Sequence, residues 1–491
     1  MITELYKLVH SLSSVEKKMF LIYSKVSEGK KDYLSLYKII LNDKSKNITE
    51  TKELFSRKNP NTSFQNTISY LFKNLIKTLV ILRVGQDDWF NELYGLMTAR
   101  LCIERSLPNY ALKTLKDTKQ KAFNKQNHVI SYYAERMELS LLSDLNFPNI
   151  NESKLIEVQA SLKVTLNRIK HIQEQLSLLE VLRLRTLQQN LLSTKATSKE
   201  TQDLILNEIS LISGKNKEIF ISQKLHLMFQ SFFFIHIAEY SSALRVFSQL
   251  NKLFEQNENL WNFPPYDYLS VLDEILKALG TMEQYSEMTF YLEKLDSLLK
   301  DNYPGHFKEE INKSSEVHTL NYLIGVQYYS IAQKKVNSLN SIFNRHIHNR
   351  KDSEIILWRI ALHCYMKEWS SARKHASSFL IHMHNEDLER IGRLLFIISS
   401  YELRDLDSLD YEIRSYRRKY RSRPKLYEVE KSIFSIISRD VMRRGNNYKS
   451  KLKDEINNKI DAEFNNNIEA YRKLLRYFDL IKWLNKQLQP S

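Results

Sequence analysis

The stretch FISQKLHLMFQSFFFIHIAEYSSALRVFSQLNKLFEQN, residues 220–257, decides how the chain is read. Its apolar positions predict two amphipathic helices joined by a very short turn. The first runs to about His236 and the second starts near Tyr240. Ala243, Phe247 and Leu250 recur at steps of three and four, which places them on one helix face. Ala243 is small enough to let another helix approach, and Phe247 is large enough to fill the groove beside it. A small residue followed by a large one is the packing pattern of a stacked helical hairpin.

Composition supports the same reading. The chain has 491 residues, too many for one compact core unless it is elongated or divided. Its 9 glycines and 8 prolines are few. Helix interiors exclude both residues, whereas α/β folds need glycines in their phosphate loops. The 27 tyrosines and 23 phenylalanines supply bulky packing groups. A formal charge of +16 favours partners with negative surfaces. Cys102 and Cys364 stand far apart in apolar helical patterns, which predicts buried thiols in a reducing, cytoplasmic setting. The first thirty residues lack the pattern of a signal peptide. The longest apolar run, MFQSFFFIHIA, has only eleven residues and reads as a core helix, so no stable membrane insertion is expected.

Outward from residues 220–257, other segments carry weaker versions of the pattern. In the N-terminal region the strongest helix is SFQNTISYLFKNLIKTLVILRV, ended by Gly85, with Ile68, Leu71, Leu75, Leu79 and Leu82 along one side. This region also bears a superficial likeness to a small DNA-binding helical domain, because its helices are short and its lysines frequent. A cap is the preferred reading, since no recognition helix stands out. Pro108 opens a helix in which Tyr110, Ala111 and Leu115 follow the small-large order. Residues 152–192 read as one long helix or a tight pair, and STKATSKETQ as a linker. Further pairs are YDYLSVLDEILKALG with QYSEMTFYLEKLDSLLK, EVHTLNYLIGVQYYSIA with VNSLNSIFNRHIH, EIILWRIALHCYMKEW with SARKHASSFLIHM, and EDLERIGRLLFIISSYELR with SLDYEIRSYRRKY. The segment from Tyr448 to Leu488 reads as one final long helix.

These hairpins resemble the tetratricopeptide repeat superfamily. EYSSALRVFSQL looks like the second half of such a repeat through Tyr240, Ala243 and Phe247. Partial matches come through Ala111 and through Trp369, Ala372 and Ala376. The period departs from a regular repeat, and the first-helix glycine is poorly supplied. The composition, rich in Lys, Asn and Ile, also resembles large helical-repeat proteins of Bacteroidetes-type bacteria. The resemblance implies an all-α, right-handed α-solenoid of antiparallel helix hairpins with atypical caps. Residues 1–85 would form the N-terminal cap, 86–200 hairpins and long helices, 201–421 the tetratricopeptide-like array, and 422–491 C-terminal capping helices. It also implies binding of proteins or peptides in a concave groove.

No Walker loop, dinucleotide glycine cluster or Gly-x-Ser-x-Gly elbow occurs. The histidines His346, His348, His363, His375, His382 and His384 lack metalloprotease spacing and read as solvated or hydrogen-bonded residues on stacked helices. Glu135 and Glu138 read as a salt-bridged exposed face. The sharpest charge feature is RSYRRKYRSRPK, residues 414–425, which contains no acid. Arg414, Tyr416, Arg417, Arg418, Tyr420, Arg421 and Arg423 are the candidate partner-binding residues. Their arginines could grip carboxylates or phosphates while their tyrosines stack. The expected function is a non-catalytic scaffold, without cofactor or metal, that binds a protein or an acidic peptide. The alternative is a nucleic-acid-associated regulatory protein using a basic face. A third reading is an enzyme with an inter-helix site not visible in the sequence.

Overall fold

In a computed structural model, the residues described are 1–26, 32–42, 48–188, 203–204, 206–208, 219–237, 239–339, 350–383, 385–420, 427–441, 456–463 and 468–488. Among them every regular element is helical, and none is a strand. The chain is all-α. It divides into two units, one built from Met1–His171 with Asn259–Tyr266 and Asn302–Glu309, the other from the remaining segments.

The first unit begins with α1 (Ile2–Ser11), α2 (Ser14–Val26), α3 (Asp32–Asn42), α4 (Ile48–Lys58) and α5 (Phe64–Arg83). Tyr6, Phe20, Leu36, Phe55, Leu71 and Leu75 meet in one core. Next come α6 (Asp88–Glu104), α7 (Pro108–Asn124) and α8 (His128–Asp144). Here Leu96, Ala99, Leu115, Ala122, Ile130 and Ala134 form a second core. Gly95 lets α7 approach, because an added Cβ would lie 2.2 Å from Thr118 Oγ1. Of the two readings of residues 152–192, one long helix or a tight pair, the described residues 152–188 take the first. They form a single 37-residue helix, α9 (Glu152–Gln188), belonging to the first unit up to His171 and to the second from Ile172.

The second unit continues with α10 (Phe220–His236), α11 (Tyr240–Gln256), α12 (Tyr266–Thr281), α13 (Tyr285–Lys300), α14 (Gly305–Gly325), α15 (Tyr329–Ser338), α16 (Arg350–Tyr365), α17 (Trp369–His382), α18 (Glu386–Glu402), α19 (Leu406–Lys419) and α20 (Glu428–Val441), except that Tyr266 and the start of α14 up to Glu309 belong to the first unit. The opening hairpin falls where its sequence placed it, with Ala243, Phe247 and Leu250 buried. Helices α16, α17 and α18 all touch one another, as do α6, α7 and α8. Within each of these two triplets every helix packs on the other two.

One turn joins these helices repeatedly. At 105–107, 125–127, 282–284, 326–328, 366–368 and 403–405 the connection is three residues long. Its middle residue is left-handed and never glycine: Ser106, Gln126, Glu283, Gln327, Lys367 and Arg404 have φ of 55° to 63°. The third residue donates its N–H to the carbonyl five residues back, at 2.8 to 3.1 Å, as in Tyr328 to Leu323 and Glu368 to His363. This is the six-to-one bond of a Schellman motif, and the same residue stands at the N-cap position of the next helix. Non-glycine residues bear a left-handed cost of about 1–2 kcal/mol, offset by carbonyls that would otherwise be orphaned. Connections this short make successive helices antiparallel.

The turn repositions one expected hairpin. The sequence reading carried its first helix through Ala332, but that helix ends at Gly325 and α15 starts at Tyr329. No glycine or proline marks residues 326–328, because Gln327 supplies the left-handed conformation. Helices α11, α13, α15, α17 and α19 then start 45, 44, 40 and 37 residues apart, at Tyr240, Tyr285, Tyr329, Trp369 and Leu406. Three residues after the first four of these starts, Ala243, Met288, Ala332 and Ala372 are buried. Tyr285 lies on Gly325 so closely that an added Cβ would come within 2.2 Å of its ring. Tyr329 stacks on Tyr365 at 5.7 Å.

The final long helix expected from Tyr448 onward is also corrected. Its described residues form separate pieces, including α21 (Ile468–Leu475) and α22 (Leu480–Gln487). The chain leaves the helix at 476–479 because Tyr477 and Phe478 turn into the core, 4.7 Å from Trp358 and 5.0 Å from Tyr365 between ring centroids. Asp479 then caps α22 by accepting from Lys482 N–H at 2.8 Å. The expected linker STKATSKETQ lies outside the described residues. Among the described residues no helix is long and apolar enough to cross a membrane.

Two substitutions test the turn. Gln327→Val places a β-branched residue at positive φ and should destabilise the chain by about 1–2 kcal/mol, whereas Gln327→Gly should not. Gly325→Ala should cost about 1–3 kcal/mol through overpacking on Tyr285. The urea unfolding midpoint reports both.

Candidate interaction surfaces

The basic stretch at the end of α19 separates into interior and surface. Tyr416 and Tyr420 are buried, so neither ring offers a stacking platform. Tyr416 donates its hydroxyl to Glu430 Oε1 at 2.5 Å. Buried Arg390 grips the same carboxylate with two donors, Nε at 2.7 Å and Nη2. Its guanidinium lies 5.0 Å from the Tyr420 ring centre and 5.6 Å from that of Tyr427. Burial alone would depress the Arg390 pKa, but the bond to Glu430 raises it overall. Three helices, α18, α19 and α20, are thereby pinned together. Of the remaining candidates, Arg414 pairs with Asp410 at 2.6 Å and Arg417 lies over Phe434 at 5.5 Å. Arg418 is exposed, while Arg421 and Arg423 lie outside the described residues. Lys419 is held by Glu389 at 2.6 Å.

The histidines and cysteines do not assemble a metal centre among the described residues. His363 Nδ1 meets Glu368 Oε2 at 2.6 Å, and its ring stacks on His375 at 5.3 Å. Burial first, then the Arg359 charge, pushes His375 down to about 4, so it is neutral at pH 7. His346, His348 and His384 lie outside the described residues, as does the side chain of His382. Buried Cys364 has its thiol pushed up to about 12 by burial, which leaves it unreactive. Cys102 and Cys364 are both unbridged.

A second polar network lies inside the second unit. Asp273 on α12 accepts from Ser314 and faces His318 Nε2 at 3.1 Å, both on α14. Lys351 Nζ on α16 is 2.5 Å from its other oxygen. Burial would raise the Asp273 pKa, yet His318 and Lys351 hold it well below the usual carboxylate range. Glu354 is likewise lowered by Arg476 and Arg350 against the effect of burial. Each acid has its cation, so the network joins helices α12, α14 and α16.

The first unit carries a different feature, which the sequence reading missed. Leu96 and Ala99 of α6 and Ile130 and Ala134 of α8 bury one face of each helix in a core shared with Leu115 and Ala122 of α7. On the other faces Tyr94, Met97 and Leu101 of α6, and Val129 and Tyr133 of α8, are each more than half exposed. They recur at three- and four-residue steps, and α6 and α8 touch each other directly. Such grouped exposure of apolar residues makes this a candidate interaction surface. The clue in the sequence is that α6 is apolar on both faces, more than one core requires.

Glu135 and Glu138 sit behind this surface. The expected exposed face is corrected: both are buried, because Lys119 of α7 reaches them at 3.6 and 3.1 Å. Burial raises the Glu135 pKa. Glu92, raised chiefly by burial, accepts from Asn127 Nδ2 at 2.7 Å. These bonds lock α6, α7 and α8 and hold the exposed stripe rigid. Arg136 lies exposed on α8, three residues beyond Tyr133.

Two outcomes check the networks. Glu430→Gln leaves Arg390 with an uncompensated buried charge and should cost about 3–5 kcal/mol in urea unfolding. Asp273 has its folded pKa depressed, so its stabilisation is present above the unfolded pKa near 4 and is lost as pH falls below it. Asp273→Asn should therefore lower stability at pH 7 and flatten the decline below pH 4 in acid unfolding. No protein-family model matches the chain, and no curated protein matches it.

Proposed function

We infer that the chain is a non-catalytic, tetratricopeptide-like scaffold whose α6–α8 surface binds an amphipathic helical segment of a partner protein. The observation that carries this reading is the exposure of Tyr94, Met97, Leu101, Val129 and Tyr133 on two adjoining helices whose opposite faces are already packed. Two helices side by side form a groove that takes a third helix by its apolar face. Aromatic and methionine side chains are the residue types that anchor such contacts. Arg136 at the margin favours a partner with a carboxylate beside its apolar stripe. The recurring three-residue turn and the buried small residue three places into most of the second helices support a right-handed repeat of hairpins. The two unbridged cysteines support a reducing, cytoplasmic location.

A photo-crosslinking residue at Met97 or Tyr133 of the full chain, in native extract, should give discrete protein adducts. Leu101→Glu should reduce their yield at least about tenfold. The same crosslinker at Lys113, on the outer face of α7, should give none. Absence of adducts at Met97 and Tyr133, or equal adducts at Lys113, overturns the reading.

A further inference from the structure

The geometry points to a second surface in the first unit: the α4–α5 face binds duplex DNA, with the N-terminal half of α5 laid in the major groove. The turn between these helices is tied to α3. Thr62 Oγ1 donates to Asp32 Oδ2 at 2.8 Å, and Asn59 Nδ2 donates to Ser35 Oγ at 3.2 Å. Ser63 caps α5 by accepting from Asn66 N–H at 3.4 Å. Ile68, Leu71 and Leu75 fix the other side of α5 in the core. The start of α5 is therefore held rigidly.

Its outer face is polar and basic. Asn66, Tyr70, Lys73 and Lys77 are exposed and follow at four-, three- and four-residue steps, so they share one face. The Tyr70 ring is held edge-on against Tyr33 at 5.2 Å, with half its surface left to solvent. Helix α5 contains no acid. On α4, Lys52, Arg57 and Lys58 are exposed, the last two within the final turn before the connection to α5. None of these five cations makes an ion pair among the described residues, whereas Asp32 is engaged by Thr62 and Glu16 by the Ser13 N–H at 2.7 Å. Against them α4 carries Glu50 and Glu53.

Unpaired cations on a rigid helix face complement a polyanion, and releasing its counterions supplies the affinity. The amides of Gln65 and Asn66 add what a phosphate site alone does not need: groups able to bond an adenine edge in both directions. A helix fits the major groove of B-DNA, about 12 Å wide, but not the deep, narrow groove of duplex RNA. The inference is independent of the α6–α8 surface.

Fluorescence anisotropy of the full chain with a labelled 30-base-pair DNA tests it. Binding at 50 mM salt should weaken about 100-fold at 200 mM, the dependence set by about four phosphate contacts. Lys73→Glu with Lys77→Glu should weaken binding at 50 mM more than about tenfold, and the milder Lys73→Gln with Lys77→Gln should also weaken it. Arg414→Glu with Arg418→Glu should leave it unchanged. No binding at 50 mM, unaltered binding by both α5 variants, equal affinity for duplex RNA, or retention on phosphatidylserine vesicles without DNA binding would each overturn the inference.

Discussion

A backbone N–H bonded to the carbonyl five residues behind it is the contact on which the rest of the structure depends. It closes six described helix ends in the same way and starts the next helix with the same residue. A junction so short leaves the chain no slack, so consecutive helices lie antiparallel and their apolar faces must meet. What varies between junctions is the side-chain packing. Ala243, Ala332 and Ala372 admit a close neighbour, whereas Met288 fills the same place with bulk. Spacing then varies with helix length while the local geometry stays constant.

Hydrophobic packing does not by itself fix which helices adjoin. In the second unit two polar networks, one buried and one partly buried, add that specification. Arg390, Glu430 and Tyr416 tie α18, α19 and α20, while Asp273, His318 and Lys351 tie α12, α14 and α16. Buried ion pairs add little net stability, but an alternative packing that parted these groups would strand a charge. The networks therefore select one arrangement of helices that hydrophobic contacts alone would leave less defined. In the first unit, Lys119 with Glu135 and Glu138, and Asn127 with Glu92, do the same for α6, α7 and α8.

The helical class and the hairpin at 220–257 were legible because their signal is local: Ala243, Phe247 and Leu250 repeat at helical steps. The α14–α15 turn was not, since left-handed Gln327 leaves no mark of the kind that glycine leaves. The break at Tyr477 and Phe478 was hidden for a related reason. Both residues continue an apolar pattern, and only their contacts with Trp358 and Tyr365, more than a hundred positions away, draw them inward. Tyr416 and Tyr420 read as surface residues because cations flank them. Their partners Arg390 and Glu430 lie on other helices, which no spacing along α19 reveals. The exposed stripe of α6 was concealed in the opposite sense. An apolar residue counts toward a core in any sequence pattern, and only the packing shows that Tyr94, Met97 and Leu101 are surplus to one.

Amide hydrogen exchange at the junctions tests the account most directly. In the intact chain, the backbone amides of Gln284, Tyr328, Glu368 and Asp405 each donate the five-back bond. They should exchange within about tenfold of the rates of neighbouring helix-interior amides. Exchange of all four at the rate of an unstructured peptide would contradict the account, because the helices would then be joined by open loops.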